Sequence, residues 1–241
     1  MQSGLYVALS GQVALERRLQ TIASNVANMN TVGYRADGVS FEAQMAKAGD
    51  SVVAFAGGGT DFISRQSGGI SKTGNPLDVA VQGDAWLAVK APAGVVYTRD
   101  GRMTISDSGE LTTLNGYSVL DAGGAPILLE ANGGVPEISR DGMITQNNAQ
   151  IGALGLYTID EDAKLKRYNN SGVIPDKPAT AVLDFTVNGV AQGFVEGSNV
   201  NPIMEMTKLI NLTRAFDGVT SATEKTEASL TDAIKTLGSS G

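Results

Sequence analysis

The sequence predicts an α+β fold, with long N- and C-terminal helices that form a coiled-coil stem around an inserted, mostly antiparallel β domain. Apolar residues recur at coiled-coil spacing at both ends of the chain, and turn dipeptides separate short apolar runs between them. The predicted segments are a helix over 1–33, an extended connector over 34–75, a β domain over 76–197 and a helix over 198–241. With 241 residues and 42% hydrophobic composition, the chain is long enough to bury a core.

Apolar residues at alternating intervals of three and four positions predict one amphipathic helix near the N-terminus. The stripe runs from Leu5 to Met29, and only Gln12 interrupts it with a polar side chain. Gly33 follows the stripe and can adopt the left-handed conformation that ends many helices. We therefore expect the first helix to end at Gly33.

Asparagines are concentrated near the end of this helix. Asn25 and Asn28 lie three residues apart and share one side of the helix, where their amides can both donate and accept hydrogen bonds. Two interpretations are open: contacts that fix the register of neighbouring helices, or local capping of the helix end. For Asn30 the local interpretation is favoured.

The connector and the β domain are distinguished by glycine and by turn signals. Residues 36–75 carry few periodic apolar residues, which is typical of an extended or irregular connector in which a short hairpin can form. Beyond the connector, four hairpin-type turns are predicted, at Asp100-Gly101, Asn115-Gly116, Asp141-Gly142 and Asn188-Gly189. The similar segments TRDGRMTI and SRDGMIT fit either a duplicated strand–turn–strand unit or a chance recurrence of Asp-Gly turns.

Proline and a second apolar stripe predict the C-terminal helix. Pro202 suits the first helical position, and Ser198 or Asn201 can cap it. The stripe from Met206 has Thr or Glu at four of its ten positions, so it covers the first stripe only in part. Each large apolar side chain left in water forgoes about 1.5 to 3 kcal/mol of burial. We therefore expect the terminal helices to be poorly ordered alone and to fold when subunits associate.

The composition excludes several classes of function. The chain has no cysteine and no histidine, which removes disulfides, thiol and imidazole catalysis, and metal sites built on those ligands. We expect no catalytic, cofactor-binding or metal-binding residue. A net charge of −7 with scattered basic residues predicts no nucleic-acid partner, and no apolar run suggests membrane insertion or a cleaved signal peptide. The alternative hypothesis is a carbohydrate-binding or hydrolytic β domain with oligomerising helical ends, using Asp160 or Glu161.

Four stretches of the sequence resemble a known protein family. ASNVANMNTVGYR over 23–35 is similar to the N-terminal signature of the bacterial flagellar basal-body rod and hook proteins. NPLDVAVQGDAWLAV and YTRDGRMTISDSGELTTLNGYSVL resemble the central segment of that family, and EGSNVNPIMEMTKLINLTRAF resembles its C-terminal signature. The chain length and Trp86 look most like a proximal-rod member, with a distal-rod member as the alternative.

The resemblance implies a mechanical function. It implies an inner tube of coiled coils, a connector around it and an outer β domain, in a rod that crosses the periplasm and transmits motor torque to hook and filament. The implied partners are other rod proteins, further copies of the chain and the flagellar type III export apparatus, with no cleaved signal peptide and no cofactor. The residues expected at the assembly interface are Leu15, Leu19, Ile22, Asn25, Val26, Asn28, Met206, Leu209 and Phe216.

Overall fold

The computed structural model describes residues 2–41, 43–48, 51–57, 59–130 and 133–238. Two helices lie at the ends of this part of the chain, α1 over Gln2–Ala27 and α2 over Pro202–Gly238. The strands between them are β1 Asp37–Ser40, β2 Ala43–Ala48, β3 Ser51–Ala56, β4 Thr60–Ile63, β5 Ile70–Lys72, β6 Val79–Gln82, β7 Trp86–Ala91, β8 Gly94–Thr98, β9 Met103–Ile105, β10 Leu111–Thr113, β11 Ser118–Val119, β12 Glu137–Ile138, β13 Met143–Gln146, β14 Ala149–Ala153, β15 Leu156–Thr158, β16 Leu165–Tyr168, β17 Gly172–Pro175, β18 Thr180–Ala181, β19 Gly189–Gln192 and β20 Phe194–Glu196. Terminal helices and an intervening β region are confirmed.

The chain forms two compact units. The helical unit consists of Met1–Ala27, Asp37–Asp61 and Asn201–Gly241, and the β unit consists of Asn28–Ala36 and Phe62–Val200. Within the helical unit, α1 packs against α2 and against β1 and β3, and β2 pairs with β3 as an antiparallel hairpin. The short hairpin that the connector allowed is therefore present.

The first helix ends earlier than the sequence predicted. Its last residue is Ala27, and a turn follows in which the Thr31 amide donates to the Asn28 carbonyl at 3.0 Å. The Asn28 side-chain oxygen also accepts from the Thr31 hydroxyl at 3.1 Å, so local polar bonds replace the next helical turn. Gly33 does adopt a left-handed conformation, with φ of 69°, but it lies six residues beyond the helix end.

The second helix begins where the sequence predicted. Pro202 is its first residue, and the Asn201 side-chain oxygen accepts from the Met204 amide at 3.1 Å. Asn201 is therefore the capping residue of the two candidates.

The β unit is built on antiparallel pairing. Its largest sheet has nine strands, with the order β16-β17-β8-β7-β11-β10-β9 and with β15 joining β7 to β18. A smaller sheet has the order β12-β13-β14, and two further pairs are β19 with β6 and β20 with β5. Apolar side chains from these strands form a main core and a second cluster around Trp86 and Val173.

Two of the four predicted hairpin turns are present. Asn115-Gly116 joins the paired strands β10 and β11, and Asp141-Gly142 joins β12 and β13. The predictions at Asp100-Gly101 and Asn188-Gly189 are wrong, because β8 pairs with β7 and β17 while β19 pairs with β6. The segment SRDGMIT is thus a hairpin and TRDGRMTI is not.

Close backbone approach explains the two misread glycines. A Cβ on Gly101 would lie 1.9 Å from the Val79 carbonyl oxygen, and one on Gly189 would lie 2.8 Å from the Arg140 carbonyl oxygen. Both glycines therefore let another part of the chain pass closely, a use of glycine that a turn dipeptide does not distinguish.

Candidate assembly surface

Large apolar side chains are exposed along both helices. On α2 they include Ile203, Met206 and Ile210, whose exposed fractions are 79%, 52% and 54%. Positions three and four apart lie on one face of a helix, so these side chains form an apolar stripe. The full set of exposed large apolar residues on the described helices is Leu9, Val13, Leu19, Ile203, Met204, Met206 and Ile210. Exposed apolar side chains at helical spacing are candidates for an interaction surface.

A different face of α2 is covered within the helical unit. Glu205 and Leu212 are buried, and Leu209 and Phe216 are half-buried, again at intervals of three and four residues. On α1, among residues 9–27, whose burial the structure describes, the most buried apolar side chain is Ile22. The helix α2 therefore has one apolar stripe packed inside its own unit and a second one exposed.

The structure divides the residues predicted for assembly into three groups. Leu19 and Met206 are exposed, as a contact with another subunit requires. The half-buried residues are Leu15, Val26, Asn28, Leu209 and Phe216, and the buried residues are Ile22 and Asn25. The assignment of this set to an interface between subunits stays a prediction.

Sequence analysis missed most of the exposed stripe. Leu9 and Val13 lie one position beyond the predicted stripe of α1, four residues apart. Ile203 precedes the predicted start of the second stripe and continues its spacing backwards from Met206. Each helix has two apolar faces, and a pattern of single positions three and four residues apart describes only one of them.

Asn25 has a role inside the chain. Its side-chain oxygen accepts from the Asp37 amide at 2.8 Å, and its side-chain nitrogen donates to the Asp37 carbonyl at 2.9 Å. The same nitrogen lies 3.4 Å from a Glu205 carboxylate oxygen, and Asn25 is only 3% exposed. Both ends of the Asn25 amide are therefore engaged within the chain, and its role in contacts between subunits stays a prediction.

The β unit contains a buried ionic triad. Glu196 lies between two arginines, 2.8 Å from the Arg35 guanidinium and 3.1 Å from that of Arg99, and all three side chains are 1% exposed. Both guanidinium groups also lie over the Trp86 ring, at 5.6 and 5.4 Å from its centre. The triad carries one net positive charge, and the negative charge of Asp84 also acts on both arginines.

Burial changes the protonation equilibria of the triad. Desolvation lowers the pKa of Arg35 to about 10, and the negative charge of Glu196 opposes this shift. Burial likewise lowers the pKa of Arg99. Glu196 is the carboxylate that is ion-paired with both buried arginines, and its charge opposes both shifts.

The acidic residues of the alternative hypothesis lie at a cleft of about 620 Å³ in the β unit. Asp160 is exposed, and hydrogen bonding from the Asp162 amide together with the charge of Lys177 lowers its pKa. A carboxyl group held ionised cannot donate a proton at neutral pH. Arg65 lines the same cleft, but its guanidinium already donates to the carbonyls of Ile159, Asp160 and Ala163. Asp160 and Arg65 at this cleft therefore both have partners within the β unit.

Two further properties concern metals and membranes. Among the residues that the structure describes, no three acidic side chains are grouped as ligands for a metal ion. Neither helix, over its described length, is long and apolar enough to cross a bilayer.

Family models match the chain at both ends and in the β unit. Residues 5–35 match the model of the flagella basal body rod protein. Residues 191–230 match the C-terminal model of the flagellar basal body rod FlgEFG proteins, and residues 80–146 match the D1 domain of the flagellar hook proteins FlgE/F/G. The exposed apolar residues of α1 and α2 thus lie inside segments that are typical of rod proteins.

Relatives over the whole length decide the family. The flagellar basal-body rod protein FlgF of Mesorhizobium japonicum is 52% identical over 239 residues, which cover 99% of both chains. The chain belongs to the FlgF family of basal-body rod proteins. FlgF of Rhizobium meliloti is 49% identical over 240 residues, 100% of each chain. FlgG of Bacillus subtilis is 30% identical over 244 residues, with 90% of this chain and 92% of FlgG covered.

The predicted rod and hook family is confirmed, and FlgF is favoured over FlgG. A member of the FlgF family is a structural subunit of the flagellar basal-body rod and assembles with other rod proteins. The exposed stripes of α1 and α2 are the first candidates for the surface that it uses.

Proposed function

We propose that this subunit enters the proximal part of the rod through its helical unit, with α1 and α2 of several subunits forming a coiled-coil inner core. The observation that carries the proposal is the exposed stripe of Ile203, Met206 and Ile210 on α2. Each of these side chains contributes about 1.5 to 3 kcal/mol when it moves from water to a fully buried site. Burial of this stripe favours association with neighbouring helices.

The wider arrangement is part of the same proposal. The inner core comprises residues 1–33 and 198–241, the connector 34–75 surrounds it, and the β domain 76–197 lies outside. In this arrangement the rod crosses the periplasm and transmits motor torque to the hook and filament. The type III export apparatus delivers the chain without cleavage of a signal peptide. The family resemblance supports these assignments, and they require no catalytic residue, cofactor or metal.

The interface residues that sequence analysis predicted remain in the proposal, with a division of roles. Leu19 and Met206 contact other subunits directly, because both are exposed in the single chain. Leu15, Val26, Leu209 and Phe216 are half-buried and complete their burial on assembly. Ile22 instead holds the helices of one chain together.

Charges placed on the exposed stripe test the proposal. Ile203→Asp with Ile210→Asp, produced in cells that lack the native subunit, is expected to abolish swimming, because two charged side chains would have to be buried between helices. Both positions are exposed, so the isolated chain should keep its thermal midpoint. The readouts are soft-agar motility, recovery of basal bodies and thermal unfolding of the purified variant.

A matched control separates the position of the charges from their number. Asn211→Asp with Ala215→Asp adds the same two charges at exposed positions of α2 that lie on the side of the helix away from this stripe. We expect this control to swim. Normal swimming of the Ile203→Asp, Ile210→Asp variant would refute the proposed interface.

A further inference from the structure

The β unit fixes together the segments through which the chain enters and leaves it. The chain crosses between the two units after residues 27, 36, 61 and 200. Inside the β unit, these four points adjoin three segments, 28–36, 62–69 and 196–200. We call these three segments the clasp.

One residue of the clasp is hydrogen-bonded to both of the other segments. The Asn199 side-chain oxygen accepts from the Ala36 amide at 2.7 Å. The Asn199 side-chain nitrogen donates to the Ser64 hydroxyl at 3.1 Å and to the Gln66 carbonyl at 2.8 Å. Its backbone amide donates to the Tyr34 carbonyl at 3.3 Å. Asn199 therefore uses both ends of its amide to join three parts of the chain that are distant in sequence.

Glu196 repeats this pattern in the buried interior. One oxygen of its carboxylate contacts Arg35 at 2.8 Å and accepts from the Gly68 amide at 2.8 Å, and the other contacts Arg99. Its backbone carbonyl accepts from the Gly33 amide at 2.7 Å. Glu196 thus binds the same two segments as Asn199 and adds a link to Arg99 at the end of strand β8.

Glycine permits this close packing. A Cβ on Gly68 would lie 2.0 Å from the Gly197 carbonyl oxygen, which no side chain tolerates. The second and third segments can approach each other only because Gly68 has no side chain.

The strand geometry shows why such links matter mechanically. Strands β5 and β20 are antiparallel, with Ile70 opposite Glu196 at the end where both strands meet the clasp. Pulling two strands apart from one end breaks their backbone hydrogen bonds one pair after another. Links across the clasp hold that end closed, because they must break before the first strand pair is loaded.

The tripeptide Ser-Asn-Val occurs at two related places. Asn199 of the second copy binds the backbone of Ala36 inside the β unit, and Asn25 of the first copy binds the backbone of Asp37 inside the helical unit. Two asparagines therefore hold consecutive residues at the crossing between 36 and 37.

We propose that Asn199, with the buried Glu196, is a mechanical clasp that distributes tension over all three segments and prevents the β unit from opening at its ends. Its use in the cell rests on the proposed function, in which subunits carry torque. The clasp itself is a property of the single chain. Asn199 acts as a positioning residue, since it holds the segments and does not contact another subunit in this proposal.

Single-molecule pulling on the full chain tests the clasp. The chain has no cysteine, so two introduced cysteines define the points of force. Asn30→Cys with Ile203→Cys applies force to the first segment and, three residues past its end, to the chain that leaves the third segment. Ser108→Cys with Glu161→Cys applies force to exposed positions of the β unit outside the three clasp segments. Asn199→Ala is expected to raise the rupture rate at constant force at least about tenfold in the first geometry and to change it little in the second.

Two further variants keep the result interpretable. Ile144→Ala removes buried volume from the main apolar core, which has no member in the three clasp segments, and should raise the rupture rate in both geometries alike. Asn199→Asp keeps the acceptor for Ala36 and loses the donors to Ser64 and Gln66, so its rupture rate should lie between those of wild type and Asn199→Ala. If Asn199→Ala does not fold, the Asn199→Asp comparison decides.

The outcomes separate a mechanical role from a merely structural one. A change for Asn199→Ala or Asn199→Asp that is confined to the first geometry supports the clasp. Equal changes in both geometries, or no change in either, overturn it. Because the measurement uses the isolated chain, its failure would leave the proposed assembly surface untouched, and loss of that surface would leave the clasp untouched.

Discussion

The helical unit and the β unit differ in how many of their large apolar side chains and charges are buried or paired within a single chain. The β unit buries a main apolar core, a second cluster and a charged triad with its counter-charge. Among the helical-unit side chains whose burial the structure describes, which leaves out 2–8, 43–56 and several positions after 225, the buried large apolar ones are Ile22 and Leu212. Exposed apolar residues occur in both units, but those of α1 and α2 follow helical spacing. The comparison indicates that the β unit is complete in one chain and the helical unit is not.

The largest expected effect breaks the β unit from inside. Glu196→Gln removes the carboxylate that is ion-paired with the buried guanidinium groups of both Arg35 and Arg99, and removal of one partner from such a group costs about 3 to 5 kcal/mol of unfolding free energy. Urea unfolding followed by fluorescence measures this loss directly, because Trp86 is the single tryptophan of the chain and lies against both arginines.

The control for this prediction is Glu161→Gln, at an exposed position of the same unit. It removes the same charge and should shift the unfolding free energy by less than about 0.5 kcal/mol. A loss below about 1 kcal/mol for Glu196→Gln would show that the triad contributes little, and the β unit would then owe its stability to its apolar clusters alone.

Amide hydrogen exchange on the purified monomer compares the two units directly. We expect the amides of α2 to exchange at least about a hundredfold faster than those of β7, a difference of about 3 kcal/mol in opening free energy. The physical reason is that α2 leaves the apolar side chains of Ile203, Met206 and Ile210 exposed in a single chain. Similar protection of α2 and β7 would mean that the helices are already stable in the monomer. It would contradict the prediction that the terminal helices fold only when subunits associate.

Several features of the fold could be predicted from short-range sequence patterns. The start of α2 followed from Pro202 and a capping asparagine, because both act within one turn of the helix. The rod signatures in the sequence identified the family, which the relatives confirmed. The hairpin turns at Gly116 and Gly142 also followed from short-range patterns, and both glycines have a positive φ.

Features that depend on distant residues could not be predicted in the same way. Arg35, Arg99 and Glu196 are far apart in sequence, and no spacing rule connects them. Gly101 resembles a turn residue in the sequence, but it is required by the Val79 backbone of another strand. For Asn25 the sequence identifies a side-chain amide but not its hydrogen-bond partner, and the structure shows that this partner is the backbone of Asp37. Pairing between distant segments therefore decided each of these cases.

The smallest predicted effect separates two neighbouring residues of α1. Ile22 is 8% exposed and Leu19 is 41% exposed, although sequence analysis assigned both to one interface. Ile22→Ala should lower the free energy of unfolding of the helical unit by about 2 kcal/mol, since it leaves a cavity in a small core. Leu19→Ala should change it by less than about 0.5 kcal/mol, because its side chain is already partly in water. Thermal melts followed by circular dichroism at 222 nm measure both variants.

Motility gives the complementary half of this test. Leu19→Ala should reduce swimming although the isolated chain is as stable as wild type, because the lost side chain is one that only another subunit buries. Ile22→Ala should reduce swimming and monomer stability together. If the two variants had the same effect on the monomer, the distinction between a stripe packed within the chain and a stripe left for neighbours would fail on α1, and the assembly surface would be restricted to α2.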